Sequence, residues 1–139
     1  MKGLISFFTL VLLTGMGFGQ NYLEQFDQLC EEGDTTGQMT LLLKWESEDP
    51  ESPELLTSYF KYYFLKSGKE YVSLSTKQPK GESYQIKDST GQIAGYFGST
   101  IVYDPDLLQK GLNVIDKGIE MYPDRLDMRF GKIYVLGQA

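Results

Sequence analysis

The chain opens on a single cation, Lys2, followed by an apolar run from Leu4 to Leu13 and a small-residue stretch from Thr14 to Gly19. That three-part order is the pattern of a secretory signal peptide, and Gly17 and Gly19, two positions apart, place cleavage between Gly19 and Gln20. The apolar run is about half of the roughly twenty residues needed to span a bilayer, so it predicts a removable leader over 1–19 rather than a membrane anchor.

From Tyr22 the pattern becomes helical. Tyr22, Leu23, Phe26, Leu29 and Cys30 gather on one helix face. Gly33 and Asp34 stop that helix, and a second runs from about Thr36 to Glu48 with Leu41, Leu42 and Trp45 inward, ending at Asp49-Pro50. Pro53 starts a third helix, which reaches about Lys66 and is apolar almost all round, so it requires cover on more than one side. Between Ser67 and Tyr103 the periodicity changes. Tyr84 and Ile86 alternate before the polar run Lys87 to Gly91, which predicts a β-hairpin whose turn uses a positive φ at Gly91. This hairpin is expected to lean on the aromatic third helix and to bury its tyrosines there. Asp104 caps a fourth helix with Pro105 in its first turn. Its stripe of Leu108, Leu112, Ile115, Ile119 and Tyr122 is flanked by Gly111 and Gly118, which predicts close approach of another helix. Pro123 ends it, and a last helix from Leu126 to Leu136 carries Leu126, Phe130, Ile133 and Tyr134 on one side. No stop signal follows, which suggests an array continuing past Ala139.

Charge narrows the choice of partners. The chain carries 13 basic and 19 acidic residues, a net charge of −6. Removing Lys2 with the leader leaves 12 against 19, or −7. Such a surface repels phosphate backbones, so nucleic acid is not an expected partner. Cys30 is the single cysteine, which excludes an internal disulfide.

The residues of most enzymes are missing. There is no histidine, which removes Ser-His-Asp and Cys-His arrangements and the usual zinc sites. The acids Glu31-Glu32 and Glu46, Glu48, Asp49 and Glu51 fall at helix ends and turns, where carboxylates are ordinary solvated residues. Asp104 and Asp106 lack the further ligands of a calcium loop, and Lys80-Gly81, Lys87-Asp88, Gly95 and Gly98 lack phosphate-loop spacing. No catalytic residue, metal ligand or cofactor is expected.

Repetition of the helix, turn, helix, proline pattern resembles the tetratricopeptide repeat, a helix hairpin of about 34 residues. Gly33-Asp34 matches the family's inter-helix turn, Pro50 the end of a unit, and Tyr22, Phe26 and Leu29 inward positions of the first helix. In the second unit Leu56, Tyr59 and Tyr63 match the family's Trp, Leu and Tyr positions, and Gly111, Ile115, Gly118 and Pro123 its small, bulky, small and proline positions. Phe60, Gln38 and Trp45 depart from the pattern, as does the extra segment between the second unit's helices. The chain also resembles exported tetratricopeptide-like proteins of Gram-negative bacteria that carry Lys-Gly-Glu-Ser and Lys-Asp-Ser-Thr-Gly, here Lys80 to Ser83 and Lys87 to Gly91. The resemblance implies a mainly α domain over 20–139 of stacked antiparallel helix hairpins, with a small β-hairpin insertion at 67–103, in a periplasmic or secreted protein.

Aromatic residues make up 14% of the chain, with ten tyrosines. Core packing between helix and hairpin accounts for some of these rings. Tyr59, Tyr63, Tyr84, Tyr96 and Tyr103 are the candidate partner-binding residues, because amphipathic rings on a concave helical stack suit peptide or glycan recognition. The expected function is a non-catalytic protein-protein interaction scaffold. Its alternative is a peptide, glycan or small-molecule binding module built on the tyrosine-rich insertion.

Overall fold

A computed structural model describes residues 17–79 and 82–139. Most of the expected leader, residues 1–16, lies outside them. Five helices and three strands follow in the order α1 (Gly17–Glu31), α2 (Thr35–Glu48), α3 (Pro53–Ser67), β1 (Gly68–Ser75), β2 (Ser83–Lys87), β3 (Ile93–Tyr103), α4 (Pro105–Met121) and α5 (Leu126–Gln138). The expected cleavage point at Gly19 thus falls in the first turn of α1.

Local chemistry sets these boundaries. Gly33 takes φ +70° between α1 and α2, where a side chain would be strained, and an Asp34 carboxylate oxygen accepts from Gly37 N at 2.8 Å to cap α2. Ser52 caps α3 with Pro53 in the first turn. Asp104 accepts from the amides of Asp106 and Leu107 to start α4.

Helix α3 is the centre of the molecule, as its all-round apolar surface requires. Its Leu55, Tyr59 and Tyr62 join Tyr22, Phe26, Leu42 and Trp45 of α1 and α2 in one core cluster. On its other side Phe60 joins Ile115, Met128 and Val135 of α4 and α5 in a second. Helix α4 packs closely on α3 at Gly111 and on α5 at Gly118, because neither glycine has a side chain. A Cβ on Gly111 would stand 3.1 Å from Tyr63 Cβ, and one on Gly118 would stand 2.9 Å from Met128 Sδ. The first core is bulkier at its seam. The Trp45 ring stacks on Tyr22 at 5.4 Å, and Gln38 Nε2 donates to the Leu29 carbonyl at 3.0 Å. Cys30 packs half-buried at the edge of this core, and burial raises its thiol pKa.

Two expectations are corrected. The fold is not a mainly α stack of helix hairpins with a small β-hairpin: it is a mixed α/β arrangement, dominated by helices, with a three-stranded antiparallel sheet ordered β1-β3-β2. The β2–β3 hairpin forms where alternation predicts it, with Gly91 at φ +85°. Strand β1 is the addition. It pairs with β3 from Gly68↔Tyr103 to Ser75↔Tyr96, and it hides from pattern reading because Val72 and Leu74 point to one face while Tyr71 points to the other. Nor does the sheet lie flat on α3. Tyr103 stacks on Phe64 at 5.4 Å at its base, but Tyr84 is 72% exposed and the strands project with most residues in solvent.

The apolar side of α5 is also turned outward. Met128, Gly131 and Val135 face the second core, whereas Leu126, Phe130, Ile133 and Tyr134 are exposed.

Candidate functional site

Three helix faces converge on an open groove of about 350 Å³. Helix α2 contributes Met39, Leu43 and Glu46, whose i, i+4, i+7 spacing keeps them on one side. Helix α3 supplies Leu55, Leu56, Tyr59 and Tyr63, and α4 supplies Val114 and Lys117, with Pro50 of the α2–α3 turn closing one end. Buried Leu55 and Leu56 make an apolar floor, and Leu43, 56% exposed, forms one lip.

Tyr59 and Tyr63 are stacked one turn apart, with ring centroids 6.3 Å from each other. The edge of Tyr62 meets Tyr63 at 5.4 Å, which fixes that ring in turn. Tyr59 donates its phenolic hydrogen to Glu46 Oε2 at 2.7 Å. Burial first, and then the Glu46 carboxylate, hold the Tyr59 phenol well above its usual range, so it stays neutral and serves as a donor. The rim is polar at two points, the Glu46 carboxylate and the exposed Lys117 ammonium.

This arrangement suits an apolar side chain entering between the rings and Leu43, with its own backbone held near Glu46 and Lys117. The polar side chains of the lining are Glu46, Tyr59, Tyr63 and Lys117; serine, threonine, cysteine and histidine are not among the lining residues. Among the described residues no three His, Cys, Asp or Glu side chains cluster as metal ligands, and no helix is long and apolar enough to cross a membrane.

Of the five tyrosines singled out in the sequence, the structure brings together only Tyr59 and Tyr63. Tyr84 pairs with Phe97, and Tyr96 is the next residue along β3, so Tyr84 and Tyr96 point to opposite faces of the sheet. Tyr103 is held at the sheet's base by Phe64. Sequence reasoning missed Met39, Leu43, Glu46, Val114 and Lys117. A signal for Leu43 was present: three consecutive leucines, 41 to 43, turn through about 100° each and cannot all face one core. Leu42 is fully buried and Leu43 is left at the lip. Comparison of the chain with protein-family models, with curated proteins and with solved structures finds no match.

Proposed function

We propose that this chain is a non-catalytic protein-interaction module of the cell envelope or the secreted fraction, taking an apolar side chain of a partner segment into the groove between α2, α3 and α4. One observation carries the reading: an open apolar groove with two stacked rings on one wall and an exposed leucine at the lip. Aromatic side chains supply large contact area at low conformational cost, and they recur as the energetic centres of interfaces. Export rests on the order of Lys2, the apolar run and the small residues before Gln20.

A photo-crosslinking residue at position 43, with position 40 on the exposed side of α2 as control, tests the proposal in a cell-envelope extract. The expected result is a discrete protein adduct from position 43 alone, lost when Val114→Lys fills the groove with charge. Equal labelling from both positions, or none from position 43, contradicts it.

A further inference from the structure

The sheet has an uncovered apolar face. Residues paired across antiparallel strands point to the same side, so the register places Val72 and Leu74 of β1, Tyr84 and Ile86 of β2, and Phe97 and Ile101 of β3 together. Leu74, Phe97 and Tyr84 form one row across all three strands. Every one of the six is at least 41% exposed. Among the described strand residues the charges on this face are Glu70, beside Ile101 at the base, and Lys87, opposite Ile93 at the tip. The other face is more polar, with Lys69, Ser73, Gln85 and Thr100 interspersed with Tyr71, Tyr96 and Val102.

A three-stranded sheet takes its stability from burying one face, and this one buries neither. With roughly 150–250 Å² for a fully open large side chain, the upper part of that range belonging to the aromatic rings, six at these exposures offer on the order of 500–900 Å². That lies at or above the upper end of the ~300–600 Å² of a typical monomer's largest apolar patch. It approaches the ~800 Å² that each partner contributes to a standard interface.

We propose that this face packs against the same face of a second copy, joining two three-stranded sheets into a six-stranded sandwich. Three observations favour a second copy over other occupants. The area is that of a dimer interface rather than of a peptide cleft. The central row of Leu74, Phe97 and Tyr84 is uncharged, so two acidic chains meet there without opposing charges, and the described strand residues of this face include no lysine cluster of the kind an anionic-lipid surface attracts. The surface is also self-complementary, because β3 alternates Gly95, Phe97, Ser99 and Ile101 along this face, small and large in turn. Beside Gly95 lies a hollow of about 260 Å³, edged on this face by Leu74 and Ile86. A two-fold axis between positions 95 and 97 seats Phe97 of each copy over Gly95 of the other, a contact that recurs identically on both sides. This interface is separate from the α2–α3–α4 groove and does not depend on the role assigned to it.

Sedimentation equilibrium and light scattering on the chain from Gln20, across micromolar to sub-millimolar concentrations, test the proposal. The expected species is a dimer. Phe97→Lys should weaken association at least tenfold, as should Leu74→Lys paired with Tyr84→Lys, while Tyr71→Lys on the opposite face leaves it unchanged. Circular dichroism identifies any variant that fails to fold, and the two substituted sets are independent of each other. A monomer throughout the range overturns the proposal, as does a dimer indifferent to both sets. Binding of the monomer to phosphatidylcholine or phosphatidylglycerol vesicles through the same residues would assign the face to a lipid surface and likewise overturn it.

Discussion

Tyr59 shows how one hydroxyl ties the groove to the core. Its ring belongs to the first core cluster, and its oxygen reaches the Glu46 carboxylate at the rim. Burial and that carboxylate raise the phenol above its ordinary value of 10.0. The folded chain therefore keeps this proton at a pH where the unfolded chain releases it, and stability falls as pH rises above about 10. Tyr22, raised by burial and then by Glu48, contributes in the same direction. Urea denaturation from pH 8 to 11 should show a decline in the wild-type chain and a shallower one in Tyr59→Phe. Equal slopes would mean that Tyr59 titrates as if exposed.

At the scale of elements, the α3–α4 pair is the most closely packed helix pair among the described residues. A side chain at position 111 meets Tyr63 Cβ, an atom fixed to the backbone, and the Phe60 ring, so there is little room to relax. Gly111→Val regains only a few tenths of a kcal/mol in helix propensity, against about 1–3 kcal/mol for overpacking. A net loss of about 2 kcal/mol in urea denaturation is expected, and a neutral result would show that the helices can part. This joint was legible in the sequence, since glycines beside an apolar helical stripe imply a close neighbour. The five helices were legible too, because caps and prolines mark their ends and 3.6-residue periodicity marks their faces. Strand β1 was not, as its apolar residues serve both faces and its partner β3 lies more than twenty positions on. The outward turn of α5 was hidden for a related reason. Apolar residues occupy both of its sides, and periodicity alone does not say that Met128 and Val135, rather than Phe130 and Ile133, meet the core. The groove was half legible. Tyr59 and Tyr63 stand out by residue type, but Leu43, Val114 and Lys117 join them only through the packing of three helices.

Taken whole, the molecule is a helical body with a sheet inserted between its two most closely packed helices. The ends of that insertion meet: Gly68 pairs with Tyr103, and Asp104 N donates to the Ser67 carbonyl at 2.8 Å. This geometry bears on the order of folding. Helices α3 and α4 are separated by residues 68–103, and closing a flexible loop of that length costs on the order of 3 kcal/mol in chain entropy. The β2–β3 hairpin is local and of a kind that closes in microseconds, so it is expected to form first, with β1 pairing onto β3 afterwards and bringing the end of α3 to the start of α4. On this order the sheet closes the helical body, and contacts at its base are expected to be formed in the transition state. Tyr103→Ala, which removes the stack on Phe64, should slow refolding more than it speeds unfolding, with a φ-value above about 0.5 in stopped-flow measurements. An effect confined to the unfolding rate would mean that α3 and α4 find each other first, leaving the strands to zip up afterwards.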